Sequence, residues 1–493
     1  MDLDHSACYR AICARDARFD GRFFTAVKTT RIYCRPVCTA RTPRSENVTF
    51  YPTAAAAQGA GFHPCLLCRP ETAPNLGAWR GTSNTVSRAL AMIELGALDG
   101  AGVDALAGRL GMGERQLRRL FRQHLGASPI TVAQTHRVLL AKQLIHETRL
   151  PMAEVAFAAG FGSIRRFNET FLALFARAPG ELRGAHKSDI SAGARGEIEL
   201  LLRYHPPYDW PAMLAFLRRR AIAGIEVVTA NHYARTVELD GAQGTVAVEQ
   251  ADNNALRATV RFPRLAALPA IIARLRRVFD LAADPAAIAA HLAQDPVLSV
   301  LIQARPGLRV PGAWDGFELA MRAVLGQQIT VTAAVHLAGR LVAAHGDRLA
   351  APDGHLTHGF PRPDVVASAD LTSLGMPRSR AATVSAVAAA AVADAHLFDA
   401  TSGLDDAVRR LRSIRGVGEW TAQYIALRQL REPDAFPAAD IGLMRALGSQ
   451  EGRLYTANEL LARSEAWRPW RAYAAQHLWS SSGTLPAPCR PDA

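Results

Sequence analysis

Residues 32–38 read IYCRPVC and residues 62–68 read FHPCLLC, so four of the chain's seven cysteines fall in two short pieces. The spacing is C-x3-C, a long loop, then C-x2-C. Each pair lets two thiolates grip one ion from a tight turn, and four soft sulfurs in tetrahedral array select zinc. The candidate ligands are Cys34, Cys38, Cys65 and Cys68. Structural zinc is the usual role of such a site. A bound thiolate nevertheless stays ionised at neutral pH and remains a nucleophile. Arg31, Arg35, Arg41, Arg44 and Arg69 flank the ligands, a positive setting suited to a phosphate. Cys8, Cys13 and Cys489 lack partner spacing.

A second constellation lies near the other end. LRSIRGVGEWTAQYIALRQL (411–430) sets Gly-Val-Gly between two helical stretches. Gly416 and Gly418 permit a backbone that turns N–H groups outward, and a hairpin opening onto a helix N-terminus suits a DNA phosphate. Further on, FPAADIGLMRALG (436–448) holds a lone acid, Asp440, among Ala438, Ala439, Ile441 and Gly442. A carboxylate there serves either as a helix N-cap or as a charge in a largely apolar pocket. Trp420, Tyr424 and Trp479 could stack on a flat base, although an aromatic taken alone is more often a core residue.

Between these sites arginines cluster on helices. VDALAGRLGMGERQLRRLFRQHLGASP (103–129) supplies a buried face from Leu106, Leu110, Leu117, Leu120, Phe121 and Leu125, a turn at Gly111, and outward Arg115, Arg118, Arg119 and Arg122. MAEVAFAAGFGSIRRFNETFLALFARAPGELR (152–183) repeats the plan, with Gly160 at the turn and Ser163, Arg165, Arg166 and Asn168 on the outward helix. Such side chains meet base edges or phosphates in a major groove, or form the solvated face of an ordinary bundle.

These sites need separate supports. At 493 residues the chain exceeds one typical domain and suits about three. The cysteine block, 1–78, has little helical periodicity and ends at PNLGAWRGTSN (74–84). A helical block follows, then GAHKSDISAGARGE (184–197), a linker by composition. The last block opens with IEVVT (225–229), YARTVEL (233–239), GTVAVEQ (244–250) and LRATVRF (256–262), which read as antiparallel strands, and is helical after 265, including the Ala-rich run 381–396. The net charge of +13 favours a polyanionic partner, nucleic acid first. An Arg- and Ala-rich composition explains the amount of charge but not its clustering. No apolar run reaches the ~18 residues that span a membrane. MDLDHSACYR lacks a signal-peptide layout. The chain is expected to be soluble and intracellular, where clustered cysteines are ligands or nucleophiles more often than disulfides.

Three family resemblances add to this reading. The stretch 23–70, around C-R-P-x-C, resembles the N-terminal zinc domain of Ada proteins, in which the first cysteine of that motif accepts methyl from a methylphosphotriester in DNA. The matching residue is Cys34. The two helical units, with A-x-x-x-G-F at 156–161 and Phe167, Phe171, Phe175 leading to PGELR at 179–183, resemble the AraC-type regulator domain. The last block resembles AlkA-type 3-methyladenine DNA glycosylases of the helix-hairpin-helix superfamily, through YHPPYDWPAMLAFLRRRAIAGIE (204–226), RPGLRVPGAWDGFELAMRAVLGQQIT (305–330), LGMPRSRA (374–381) and WRPWRAYAAQHLW (467–479). That resemblance maps the catalytic acid to Asp440 and the base pocket to Trp420, Tyr424, Trp479 and Phe216. It maps the minor-groove wedge to Gln328 or Ile329, where the best-known relative has leucine. Ile441 stands where that relative has tyrosine. Glu419–Trp420 replaces the lysine of bifunctional relatives, which implies monofunctional hydrolysis.

The expected fold class is multidomain α+β. It comprises a small zinc-bound α/β domain (1–78), an all-α double helix-turn-helix domain (84–184), a linker (185–197) and a glycosylase (198–493). The glycosylase divides into an antiparallel-sheet subdomain (198–300) and a helical helix-hairpin-helix core (301–493). The implied function is alkylation repair with promoter regulation. Cys34 would accept methyl groups, and Asp440 would drive excision of alkylated bases such as 3-methyladenine. The alternative is a transcription factor with structural zinc and a non-catalytic glycosylase-like module. One Zn²⁺ is expected in the N-terminal domain and no cofactor in the glycosylase. Expected partners are double-stranded DNA, alkylated and promoter, and RNA polymerase; no membrane; a monomer; a cytoplasmic, nucleoid-associated location. The C-terminal methyltransferase domain usual in Ada is expected to be absent, PCR at 488–490 lying in a tail.

Overall fold

The computed structural model describes residues 4–16, 19–73, 84–183, 197–400 and 403–481. Nearly all of the expected break and linker, and the tail with Cys489, lie outside the described residues. No described helix is long and apolar enough to cross a membrane. The chain forms two compact units. One comprises residues up to 205 with 236–276 and 281–283; the other comprises 206–235, 277–280 and the chain from 284.

The first unit begins with helix His5–Ala14, capped by Asp4, which accepts from the amides of Ser6 and Ala7 at 3.1 Å each. Its buried Cys8, Ala11 and Ile12 pack with Phe23, so Cys8 is a core residue. A four-stranded sheet follows in the order Val48–Tyr51, Phe24–Val27, Ile32–Cys34, His63–Pro64. The first three strands are antiparallel neighbours, and the fourth runs parallel to Ile32–Cys34. That parallel pairing carries the second cysteine pair beside the first.

The helix-turn-helix units form as expected. Helices Val103–Arg109 and Glu114–Leu125 make the first, Met152–Ala158 and Ile164–Phe175 the second. Gly111 (φ +68°) and Gly160 (φ +83°) take left-handed turns that a side chain would strain. Leu106, Leu117, Phe121 and Leu125 are buried in one cluster with Val86, Met92 and Ile93. The joining helix, Pro129–Glu147, starts with Ser128 as N-cap and proline in the first turn.

This joining helix also braces the cysteine block. Lys142 is wholly buried, and its ammonium donates to the Cys65 carbonyl and to Glu71, each at 2.8 Å. Arg69 bridges Glu71 and Glu147 at 3.1 Å each, and the Thr53 hydroxyl donates to the Leu125 carbonyl at 2.8 Å.

The last block contains a five-stranded antiparallel sheet in the order Glu197–Arg203, Ala255–Arg261, Ala242–Ala251, His232–Leu239, Glu226–Val228. The strand His232–Leu239 passes from one unit into the other. The strand Glu197–Arg203 was not expected. Its inward Ile198, Leu200 and Leu202 alternate, but Leu201 between them hides the alternation. A second departure is the hairpin Arg348–Asp353/Leu356–His358, in a segment expected to be helical. Its two-residue turn is Gly354-His355, with Gly354 at φ +58° in the first central position, where glycine is favoured.

In the second unit the helices Gly316–Leu325, Val331–His345, Arg378–Ala393, Leu404–Arg412, Glu419–Arg428, Ile441–Glu451 and Arg471–Ser481 surround the site described below.

Lys142→Met should lower the stability of the N-terminal unit by about 3 kcal/mol, because one Glu71 oxygen and the Cys65 carbonyl are left buried without their donor and only Arg69 still pairs with Glu71. Thermal or urea unfolding checks this. A loss below 1 kcal/mol would mean that the pair does not brace the two blocks.

Candidate metal centre and base pocket

The sulfurs of Cys34, Cys38, Cys65 and Cys68 all lie within 4.8 Å of one another. Tetrahedral zinc with ~2.3 Å bonds to sulfur sets its ligands about 3.8 Å apart, so this donor set fits the ion. The backbone prepares it: the Cys65 amide donates to the Tyr33 carbonyl at 3.0 Å, the Cys38 amide to the Arg35 carbonyl at 3.1 Å, and the Arg35 amide to the Cys68 sulfur at 3.3 Å. Thiols this close do not titrate independently. Sulfur–sulfur hydrogen bonds bring Cys38 down to about 7 and push Cys34 far above the usual thiol range. A divalent cation would satisfy all four at once.

The flanking arginines divide into two groups. Arg35 and Arg69 do not face a phosphate. Arg35 is ion-paired with Asp20 and donates to Thr72 and to the Cys68 carbonyl, bracing the ligand turn. Arg69 is spent on Glu71 and Glu147. Arg31, Arg41 and Arg44 are exposed.

On the first outward helix Arg115, Arg119 and Arg122 are exposed, whereas Arg118 is half-buried and ion-paired to Glu114 one turn back. On the second, Arg165 and Arg166 are exposed, Arg165 beside Glu169. Ser163 caps that helix, its hydroxyl accepting from the Arg166 amide at 3.2 Å.

The second unit holds a cavity of about 860 Å³ whose lining includes Phe216, Trp420, Tyr424, Trp479 and Asp440. Asp440 caps helix Ile441–Glu451, one oxygen accepting from the Leu443 amide at 2.9 Å. The same oxygen accepts from the Trp479 indole at 2.9 Å, and the other accepts from the Trp420 indole at 2.7 Å. Both readings of this acid therefore hold together: it is an N-cap and it lines a pocket. The Trp420 and Tyr424 rings stack at 5.2 Å between centroids, and Trp479 meets Tyr424 edge-on at 6.3 Å. Ile441 is exposed and absent from the lining.

The pocket is less apolar than its sequence neighbourhood implies. Arg220, Arg235, Arg322 and Arg428 line it with Glu226 and Glu318. Arg235 pairs with Glu318 at 2.7 Å, and Arg322 with Glu226 at 2.7 Å and with Glu318 at 2.6 Å. Burial pushes the Glu318 carboxyl up, but the two arginines outweigh it and bring it to about 2.

At the cavity's edge the hairpin and the 326–330 loop are tied together. Gly416 is at φ +84°, and a Cβ there would fall 2.0 Å from the Thr383 hydroxyl, so only glycine fits. Gly418 has an ordinary extended backbone and leads helix Glu419–Arg428 with no side-chain cap. The Gln327 amide donates to the Gly416 carbonyl and to Thr421 at 3.1 Å each, and Arg380 donates to the Gln327 carbonyl at 2.6 Å. Gln328 is exposed at φ +57°, while Ile329 lines the cavity. Of the two wedge candidates, Gln328 points outward and Ile329 inward.

Sequence reasoning missed Arg428 and Arg220 in the pocket and Lys142 and Asp20 near the cysteines. For the pocket a signal existed: Trp420, Tyr424 and Arg428 recur at steps of four on one helix, and Arg220 follows Phe216 by four just past the end of another.

Comparison with known proteins places these features in families. Residues 7–71 match the metal binding domain of Ada, 106–185 a helix-turn-helix domain, and 199–315 the AlkA N-terminal domain. The chain is 33% identical over 292 residues to DNA-3-methyladenine glycosylase 2 of Escherichia coli, covering 58% of this chain and 98% of that protein. A 3-methyladenine DNA glycosylase from Archaeoglobus fulgidus shares the fold at TM-score 0.52 and 22% identity, over 57% of this chain and 97% of that one. The class is thus a glycosylase fold carried behind an Ada-type metal-binding domain and a helix-turn-helix domain. The whole chain is 41% identical over 483 residues, 98% of its length and 97% of the relative's, to a probable bifunctional transcriptional activator/DNA repair enzyme AlkA of Mycobacterium tuberculosis. The chain belongs to this family of bifunctional transcriptional activator/DNA repair enzymes.

Proposed function

We infer that the chain is a DNA alkylation-damage repair protein that also regulates transcription, with a different chemistry in each unit. The observation that carries the glycosylase reading is the Asp440 carboxylate, gripped by two indole N–H groups inside a cavity walled by aromatic rings. A damaged base must leave the helical stack to enter such a cavity, at a cost of a few kcal/mol. An alkylated purine carries positive charge and is a good leaving group. As its N-glycosidic bond breaks, the bonding pair goes to the base and the sugar becomes oxocarbenium-like. The negative Asp440 stabilises that charge in a partly dry site, and water then adds to the sugar carbon and releases a proton. The hairpin at Gly416 and the uncapped helix start at Gly418 hold a backbone phosphate. Gln328 fills the space left by the base.

In the other unit the Cys34 thiolate attacks the methyl carbon of a methylphosphotriester. A sulfur–carbon bond forms, the carbon–oxygen bond breaks, and the restored phosphodiester leaves as an anion. Bound zinc keeps the four sulfurs ionised at neutral pH. Methylation removes one negative charge from the cluster and so weakens its repulsion of the DNA backbone, which raises promoter affinity. Arg31, Arg41 and Arg44 draw in the damaged strand. Arg115, Arg118, Arg119, Arg165 and Arg166 hold the groove. The finer reading is one zinc per chain, a glycosylase without cofactor, and a monomer. It works in the cytoplasm, at the nucleoid when on DNA, and contacts RNA polymerase at promoters.

Release of 3-methyladenine from methylated duplex DNA by the purified protein tests the glycosylase. Asp440→Asn should slow release on the order of 10²-fold or more while DNA binding persists. A rate within a few-fold of wild type would rule the role out. Cys34→Ser should stop methyl transfer from phosphotriesters to protein, read with radiolabelled methyl groups; continued labelling would move the acceptor elsewhere.

A further inference from the structure

The pocket holds two cations that the stacking of a charged base does not use. Arg428 is 2% exposed, and its guanidinium carbon lies 4.5 Å from the centre of the Phe216 ring, 5.3 Å from that of Trp479 and 5.4 Å from that of Tyr424. Arg220 lies 3.9 Å from the centre of the same Phe216 ring. The negative faces of these rings thus already meet guanidinium groups, which leaves less cation–π attraction for a cationic base.

What the wall does have is spare donors. Arg428 commits Nη1 to the Pro311 carbonyl at 3.0 Å and Nη2 to Gln476 at 3.2 Å, but its Nε is buried with no hydrogen-bond partner. Arg220 donates weakly, at 3.4 Å, to the Phe216 carbonyl and has further N–H groups to offer. The Tyr424 hydroxyl lies against both cations; burial pushes it up, but Arg428 and Arg220 outweigh burial and hold it below the usual tyrosine range. Burial foremost, then the charge of Arg220, brings Arg428 itself down to about 10. A buried, unpaired donor costs free energy until an acceptor arrives.

Alkylated purines differ in what they bring. The guanine edge carries a carbonyl oxygen, an acceptor; the adenine edge carries an amino group, a donor. Charge does not separate them, since both 7-methylguanine and 3-methyladenine are cationic as nucleosides. We propose that Arg220, with Arg428 and Tyr424, determines specificity in this pocket by donating to a carbonyl oxygen on the extruded base, favouring alkylated guanine over alkylated adenine. The inference rests on the glycosylase reading of the same pocket and names the part of it that chooses among bases.

DNA treated with a methylating agent contains both bases, so one substrate suffices. The full-length protein is used in excess, and first-order constants for release of each base are read by chromatography. Arg220→Met should lower the ratio of the 7-methylguanine constant to the 3-methyladenine constant on the order of tenfold, and Arg220→Lys should restore part of it. Tyr424→Phe, which keeps the ring, should move the ratio the same way and covers the case in which Arg220→Met does not fold. If both constants fall in parallel, or the ratio stays put, the arginine is structural and the proposal is overturned. If the wild type releases neither base, the glycosylase reading fails and takes this inference with it.

Discussion

Three helices meet at the carboxylate of Asp440. Helix Ile441–Glu451 begins on it, helix Glu419–Arg428 sends it the Trp420 indole, and helix Arg471–Ser481 sends it the Trp479 indole. Every donor is an N–H group, so the acid is held by hydrogen bonds and not cancelled by an ion pair. Hydrogen bonds from N–H groups to a charged oxygen are directional and about twice as strong as neutral ones, which fixes the carboxylate to within a rotamer. The same bonds fix the aromatic walls, because each indole can reach its oxygen in one orientation only. Pocket shape and pocket charge are therefore set by one interaction.

The N-terminal unit is organised by a different constraint. Four sulfurs must converge, and the chain that supplies them is short of core: one buried cluster there consists of Phe24, Ala26, Tyr33, Ala54, Ala57 and Phe62. Small domains of this kind lean on metals or neighbours for stability. Here the neighbour is the helix Pro129–Glu147, whose buried Lys142 holds the carbonyl of the ligand Cys65. Because that helix joins the two helix-turn-helix units, the cysteine cluster and both of these units belong to one compact unit.

Much of this was legible in the sequence. The cysteine spacing, the glycine turns of both helix-turn-helix units, the hairpin glycines and the lone acid are local signals, and each occurs where expected. What was not legible depends on partners far along the chain. Nothing local distinguishes Arg35 from a solvated arginine, since composition does not say which guanidinium finds a carbonyl or a carboxylate across the fold; the four-residue steps put Arg428 on the face of Trp420 and Tyr424 but do not say that this face is buried. Lys142 reads as one polar residue in a helix. The strand Glu197–Arg203 was masked by three consecutive leucines, and the hairpin at 348–358 by the helical segments around it. The description of the pocket as largely apolar failed for the same reason: Arg220, Arg235 and Arg322 come from segments far before Asp440 in the chain, and only Arg428 lies near it.

In the proposed function Asp440 stabilises positive charge on the sugar. The most direct measurement compares the affinity of the protein for two duplexes that lack a base. One carries a protonated pyrrolidine in place of the deoxyribose, the other a neutral tetrahydrofuran. The wild type should prefer the cationic duplex by at least about tenfold, as for a transition-state mimic, and Asp440→Asn should lose the preference while still binding the neutral duplex. An unchanged preference in Asp440→Asn would contradict that role.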